Sequence, residues 1–208
     1  MVFTTFLAQN KPDFYNEIQE FKNLDAANPP APGAILLVGS SSFTMWKDVA
    51  EYFPTKTIIN RGFGGSRLVD LNRYSNELLV PYQPKQIIIY CGENDVAHHL
   101  DTASAKEVYK RFKTFYTTAR TMYPDAQIDY ISMKHSPSRD HLWPIMEEGN
   151  KKIKRFLATR KKSSYIDIVE PMYDQNGKLR PELFLADKLH ITKEGYEIWS
   201  RVMSPYMK

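Results

Sequence analysis

The sequence predicts an α/β fold in which a parallel sheet of five strands lies between layers of helices. Five short apolar runs are rich in β-branched and aromatic residues, as buried strands are. Longer segments with helical periodicity separate them, and such alternation is typical of a parallel sheet with helices on both faces. Three of the runs lead into glycine and polar residues. Because ligands bind beyond the carboxyl ends of parallel strands, these ends are the candidate functional positions.

The predicted elements run from an amphipathic first helix to a C-terminal helix. The strands are predicted at Ala34–Val38, Thr57–Asn60, Ile87–Tyr90, Gln127–Ser132 and Tyr165–Ile168. The helices are predicted at about residues 12–24, 43–52, 66–80, 103–122, 140–161 and 192–204. The segment Pro29–Gly33 is the strongest break in the chain. We therefore predict a single domain over residues 1–208, in which residues 1–33 form an extension with one helix.

Composition excludes several classes of protein. The chain has 208 residues, 42% hydrophobic and 25% charged, which suits a soluble globular protein with one sizeable core. No apolar run approaches the roughly 20 residues of a membrane span. The densest basic segment, residues 151–162, belongs to no recognised nucleic-acid-binding motif. We interpret it as a solvated helix face and expect no nucleic-acid partner.

Cysteine content and the N-terminus bear on where the protein functions. The single Cys91 excludes an intrachain disulfide framework. Residues 1–10 are apolar but lack the basic start and the length of a signal peptide, so we interpret them as the tail of a signal that starts upstream or as ordinary chain. Cytoplasmic and exported locations both stay open, and the sequence does not determine the oligomeric state.

The first candidate functional segment is the apolar run that ends at Gly39 and continues into three serines. Gly39 permits a tight turn with close backbone approach. Ser41, at the start of the next helix, would lie near the positive end of the helix dipole, which favours a developing alkoxide. Helix N-capping by the serines explains the same residues. The segment is not the G-x-S-x-G elbow, because Phe43 replaces its second glycine.

The second segment is a glycine-rich loop directly after the second strand. Gly62, Gly64 and Gly65 leave backbone N–H groups free for an anion or an oxyanion. A plain turn is an equally good interpretation, and the G-x-x-x-x-G-K-[ST] spacing of a phosphate loop is absent.

The third segment follows the third strand and contains Asn94 and Asp95. The Asn94 amide is a candidate donor to an oxyanion, and Asp95 is a candidate acceptor of backbone N–H groups that would hold the loop. By itself, an Asn-Asp pair after a strand is more typical of an Asx turn.

The fourth segment places Asp187 three residues before His190, just ahead of the last helix. One turn of chain would bring the carboxylate to Nδ1 and leave Nε2 free to take a proton from a serine. A structural histidine is the alternative for this segment alone. Taken together, the four segments supply a nucleophile, oxyanion donors, a base and its orienting group, as acyl transfer requires.

In this order, the four segments resemble the blocks of the SGNH hydrolases, also called the GDSL family, over about residues 34–200. The resemblance implies that Ser41 is the nucleophile, with His190 as its base and Asp187 orienting that base. It also implies an oxyanion hole formed by the N–H groups of Ser41 and Gly65 and by the Asn94 side chain.

The resemblance further implies a three-layer α/β/α sandwich with flavodoxin-like order, and no metal or organic cofactor. Many members carry aspartate where this chain has Ser40. The Gly-Ser-Ser-Ser version is similar to members described as acylhydrolases or sugar-acetyl esterases. We therefore expect a serine esterase that acts through an acyl-enzyme on a small-molecule ester, such as an acetylated carbohydrate. A thioesterase or lysophospholipase, a non-catalytic binding module and a nucleotide or phosphate binder are the alternatives.

Overall fold

All five strands of the central sheet are parallel, and they lie in the order β2–β1–β3–β4–β5. The computed structural model describes residues 11–208, so the interpretation of residues 1–10 lies outside the described residues. The strands are β1 (Ile35–Gly39), β2 (Ile58–Gly62), β3 (Gln86–Tyr90), β4 (Gln127–Ile131) and β5 (Ser163–Ile166). This arrangement confirms the predicted α/β fold with a flavodoxin-like sheet.

Helices cover both faces of the sheet. Within residues 11–208 the α-helices are α1 (Tyr15–Ala27), α2 (Ser41–Met45), α3 (Val49–Tyr52), α4 (Leu68–Arg73), α5 (Ser75–Leu79), α6 (Glu93–Ala97), α7 (Ala105–Met122), α8 (Trp143–Leu157) and α9 (Lys193–Met203). None of the helices in this part of the chain has the length and apolarity needed to cross a membrane.

Alternate residues of the central strands face two separate cores. In β1, Leu36 and Val38 pack in the core that includes side chains of α4, α5, α7 and α8, whereas Ile35 and Leu37 pack with α2 and α9. Both sets are fully buried. Since each face is covered, the central strands β1 and β3 are almost wholly apolar, and continuous apolar runs therefore mark them in the sequence. The buried Gln86 of β3 is an exception, and it donates to the buried Asp129 of β4 at 2.6 Å.

Two predicted helices are each divided into two shorter ones. The helix predicted at 43–52 is interrupted at Trp46, whose buried ring stacks on Tyr196 of α9 with ring centroids 4.7 Å apart. The helix predicted at 66–80 is interrupted at Tyr74, whose hydroxyl donates to the Asp13 carbonyl at 2.7 Å. In both cases a contact with a distant segment accompanies the interruption of local helical periodicity.

The segment after β4 and the last strand also differ from prediction. A 3₁₀ turn (Pro137–Leu142) precedes α8, and Arg139 within it has non-helical angles of φ −118° and ψ 21°. Strand β5 begins two residues earlier than predicted, because Ser163 and Ser164 pair with β4 although neither is apolar. Periodicity of apolar residues could not reveal this start.

The pairing register of β1 with β2 and β3 places the carboxyl ends of these three strands at one level. Gly39 is opposite Gly62 of β2 and opposite Tyr90 of β3, so the segments after these strands share one edge. The chain order reverses between β1 and β3, which is where such sheets bind ligands. A Cβ atom on Gly39 would lie 2.0 Å from the Tyr90 carbonyl oxygen, and one on Gly62 would lie 2.5 Å from Cβ of Phe43. Only glycine fits at these two positions.

Candidate active site

Ser41, His190 and Asp187 form a continuous chain of hydrogen bonds at this edge of the sheet. His190 Nε2 lies 2.9 Å from Ser41 Oγ, and His190 Nδ1 lies 2.6 Å from Asp187 Oδ2. Hydrogen bonds from the His190 ring and from the N–H groups of Leu189 and His190 lower the pKa of Asp187 to about 2. An ionised carboxylate can only accept, so Nδ1 carries a proton, and in the neutral ring Nε2 accepts from the Ser41 hydroxyl.

A tight turn holds the carboxylate and the imidazole in place. Asp187 Oδ1 accepts from the N–H groups of Leu189 and His190 at 2.9 and 3.0 Å, which leaves Oδ2 for the ring. Leu185 N–H donates to the His190 carbonyl at 2.7 Å, and Lys188 has a left-handed φ of 57°. The His190 and Asp187 side chains are 21% and 47% exposed. The pair therefore depends on local backbone geometry and is open to solvent.

Ser41 is the first residue of α2, and the glycine-rich loop lies beside it. The first N–H groups of a helix have no partner within the helix, so the N–H of Ser41 is available to a ligand. A Cβ atom on Gly64 would lie 3.9 Å from Cβ of Ser41. Gly65 has a left-handed φ of 82°, and its N–H has no acceptor among residues 11–208. The loop thus brings a backbone N–H group that lacks an acceptor close to Ser41.

Asn94, the second residue of α6, points toward the turn that carries Ser41. Its Nδ2 donates to Ser40 Oγ at 2.7 Å and to the Ser66 carbonyl at 3.0 Å. Its Oδ1 accepts from Arg139 Nη2 at 2.8 Å. Both amide protons of Asn94 therefore already have acceptors. An oxyanion at this position would share one of these protons with the Ser40 hydroxyl, or would replace that hydroxyl as its acceptor.

Asp95 fastens the glycine-rich loop from the other side. The buried carboxylate accepts from the Leu68 N–H at 2.7 Å and from Arg111 Nη1 at 2.8 Å. Burial raises the pKa of Asp95, although the hydrogen bonds from Arg111 and Leu68 oppose the rise. This arrangement agrees with the predicted role of Asp95 in holding a loop.

Sequence reasoning missed a group of buried charges next to Asn94. Lys134 Nζ lies 2.8 Å from Glu93 Oε2, and Arg139 Nη1 lies 3.5 Å from the same oxygen. The Lys134 side chain is only 1% exposed. Lys134 follows the carboxyl end of β4, so the rule that pointed to the other strand ends could have found it. No local signal points to Arg139.

In the part of the chain that the structure describes, the histidines other than His190 form no hydrogen bond to Ser41 or Asp187. His135 stacks on Trp143 with centroids 4.7 Å apart and lies 2.7 Å from Asp140 Oδ1 through its Nε2. His98 and His99 stack on each other. Within residues 11–208, no three His, Cys, Asp or Glu side chains are grouped so that they could hold a metal ion.

Two cavities adjoin the site. One, of about 370 Å³, is bounded by Gly64 and by α1, which contributes Glu17, Glu20 and Phe21, with Lys47 also in its wall. The other, also about 370 Å³, lies against the Asp187 turn, and its lining is mostly apolar: Pro137, Pro181, Phe184, Leu185, Ala186 and Lys188. A larger cavity of about 490 Å³ lies near the opposite edge of the sheet, where α7 meets the chain that enters β5.

Solved structures of other proteins share this fold. A protein from Streptococcus pneumonia is 20% identical with a TM-score of 0.79, covering 93% of this chain and 92% of its own. A GDSL-like lipase from Bacteroides thetaiotaomicron is 18% identical with a TM-score of 0.76, covering 91% and 96%. An acetyl-xylooligosaccharide esterase from Geobacillus Stearmophilus is 17% identical with a TM-score of 0.69, covering 85% and 95%.

A search of curated proteins gave no match. The family model of the GDSL-like lipase/acylhydrolase family matches residues 34–198, which span all five strands and the four segments of the site. The chain therefore belongs to the GDSL-like lipase/acylhydrolase family.

Proposed function

We propose that this protein is a serine esterase in which Ser41 is the nucleophile, His190 the general base and Asp187 the group that orients the base. The observation that carries the proposal is the position of His190, with Nε2 2.9 Å from Ser41 Oγ and Nδ1 2.6 Å from Asp187. These distances allow direct proton transfer from the hydroxyl to the ring.

The reaction proceeds in two steps. In acylation, Ser41 Oγ bonds to the acyl carbon while its proton moves to His190 Nε2 and the carbonyl electron pair moves to oxygen. The ester C–O bond then breaks, and the leaving alcohol takes the proton from His190. In deacylation, water gives a proton to His190 and attacks the acyl carbon. Collapse of this intermediate releases the acid and returns the proton to Ser41.

The oxyanion is stabilised by the N–H groups of Ser41 and Gly65 and by Nδ2 of Asn94. Support for Asn94 comes from its position, because Nδ2 lies 2.7 Å from Oγ of Ser40, the residue directly before the nucleophile. The Nδ2 proton that Ser40 Oγ accepts is the one that the oxyanion would share with Ser40 or take over when the negative charge develops. The mechanism needs no metal or organic cofactor.

We propose a carbohydrate or similar polyol as the alcohol of the substrate, with a short acyl group such as acetyl. The cavity that begins at Gly64 supports this, because Glu17 and Glu20 have no ion-pair partner among residues 11–208 and can accept from hydroxyl groups. The Phe21 ring in the same wall suits stacking on a sugar ring. The similar Geobacillus esterase acts on acetyl-xylooligosaccharides.

A second candidate is a thioesterase or lysophospholipase that accepts a longer acyl chain. The apolar cavity beside the Asp187 turn favours it, since its prolines, Phe184 and Leu185 offer a surface for an alkyl chain. The carboxylates of Glu17 and Glu20 in the cavity next to Gly64 favour the carbohydrate ester instead.

The experiment is a chain-length series of p-nitrophenyl esters, from acetate to laurate, with Ser41→Ala as the control. We expect fastest turnover of the acetate and none in the variant. A preference for long acyl chains would favour the thioesterase or lysophospholipase over the carbohydrate esterase. Turnover that survives Ser41→Ala would refute the assignment of the nucleophile. Binding of acetylated xylo-oligosaccharides without turnover would indicate a non-catalytic binding module.

A further inference from the structure

The amide of Asn94 is held by three partners, two of which have a fixed hydrogen-bonding polarity. The guanidinium of Arg139 can only donate, so the atom facing it is Oδ1. The Ser66 carbonyl can only accept, so the atom facing it is Nδ2. These two partners leave the amide one orientation, with its remaining proton directed at Ser40 Oγ.

Arg139 reaches Asn94 from a part of the chain that carries none of the family motifs. It lies in the 3₁₀ turn after β4, at the residue where the turn departs from helical angles. Its side chain is 16% exposed, and its Nη1 faces Glu93 Oε2 at 3.5 Å. The guanidinium is thus placed between the amide and a buried carboxylate.

The carboxylate that holds Arg139 is itself strongly anchored. Glu93 Oε1 accepts from the Lys134 N–H at 3.0 Å and from the Tyr90 hydroxyl, and Oε2 accepts from Lys134 Nζ at 2.8 Å. Burial would raise the pKa of Glu93, but the charges of Lys134 and Arg139 outweigh burial, so the pKa is lowered. Glu93 therefore remains ionised and provides a fixed anchor for the guanidinium.

We infer that Arg139 is a positioning residue that aims the Asn94 amide at the oxyanion and strengthens its hydrogen bond, and that Glu93 and Lys134 hold Arg139 in place. The inference rests on the proposed esterase function. A cation bonded to Oδ1 withdraws electron density from the amide, so Nδ2–H becomes a better donor to a negative oxygen. This gain is larger in the transition state than in the bound ester, because charge develops only there.

The test compares Arg139→Met, Arg139→Gln and Arg139→Lys with the matched control Arg155→Met. Arg155 is an exposed arginine of α8 that also pairs with a glutamate, Glu148. Removing a whole oxyanion donor commonly costs ~10²–10³ in rate, so loss of its positioning should cost less, about 10- to 50-fold in kcat. We expect this loss in Arg139→Met with KM unchanged, partial recovery in Arg139→Lys, and no change in Arg155→Met.

Two further measurements separate positioning from a structural role. Affinity for phenylboronic acid, which forms a tetrahedral adduct with a serine nucleophile, should fall in Arg139→Met by about the same factor as kcat. If Arg139 acts through Asn94, the double variant Asn94→Ala/Arg139→Met should be no slower than Asn94→Ala. Should Arg139→Met fail to fold, Arg139→Gln serves in its place in both measurements.

The outcomes distinguish this inference from the proposed function. Turnover that depends on Ser41 but keeps its kcat in Arg139→Met would overturn the inference and leave the esterase proposal standing. A change in KM alone, or additive losses in the double variant, would also overturn it. Turnover that persists in Ser41→Ala, or the absence of any turnover, would refute both.

Discussion

The two sides of the proposed active site are built in different ways. Asp187 and His190 are three residues apart, and a single turn of exposed chain sets their geometry. The side around Ser41 and Asn94 is assembled from the ends of separate strands, and its contacts span 28 to 54 residues of sequence. The comparison indicates that the first side tolerates substitution without loss of the fold, whereas the second side couples activity to stability.

Asp187→Asn should produce the largest effect while leaving the fold intact. An amide at this position would favour the wrong tautomer of His190, and the corresponding change in a serine protease costs roughly 10⁴ in kcat. We expect a kcat loss of that order with p-nitrophenyl acetate, and a midpoint of thermal unfolding within about 2 °C of the wild type. A large drop in the unfolding midpoint would show that the turn is less independent than its exposure indicates.

Asn94→Ala should reduce both activity and stability. Because Asn94 is a donor of the proposed oxyanion hole, we expect its loss to lower kcat by a factor of ~10²–10³. The substitution also removes the amide acceptor of the half-buried Arg139 guanidinium and leaves the Ser66 carbonyl with only the weak Cys91 thiol donor. These losses should lower the free energy of unfolding by about 1–3 kcal/mol. Urea unfolding should therefore detect a larger loss of stability than Asp187→Asn shows. Equal stability of the two variants would contradict the comparison between the two sides.

Gly39→Ala should destabilise the second side through its backbone alone. The added Cβ would lie 2.0 Å from the Tyr90 carbonyl oxygen, so strands β1 and β3 would have to separate. The matched control is Gly177→Ala, which also has a left-handed φ but meets no atom within 4 Å. We expect the free energy of unfolding to fall by about 1–2 kcal/mol in the control. In Gly39→Ala it should fall by about 1–3 kcal/mol more, as measured by urea unfolding. Similar losses would mean that the strand ends can adapt.

The smallest expected effect is a pH dependence confined to the Asp187 turn. The folded pKa of Asp187 is lowered to about 2, so its stabilising contribution is complete above the ordinary value of 3.8. That contribution is lost as pH falls through about 2. The unfolding midpoints of wild type and Asp187→Asn should therefore converge between pH 4 and pH 2. A constant difference across this range would show that the carboxylate is not held as the geometry indicates.

Different parts of the fold were predictable to different degrees. Burial on both faces forces apolar residues onto the central strands, so β1 and β3 could be located within a residue or two. The start of β5 could not, because Ser163 and Ser164 enter the sheet through backbone pairing alone. The interruptions of the helices at Trp46 and Tyr74 could not be predicted from local sequence either, since each accompanies a contact with a distant segment.

The sequence by itself determined the α/β class and the order of the four segments of the site, because strand periodicity, glycine positions and the Asp187–His190 spacing are properties of neighbouring residues. Only the tertiary structure decided which side chains surround Asn94. Arg139 lies 45 residues from Asn94, and its contact arises from the packing of the turn after β4 against α6. Contacts of this kind carry no local pattern, since they form only when the sheet sets the distance between its strand ends.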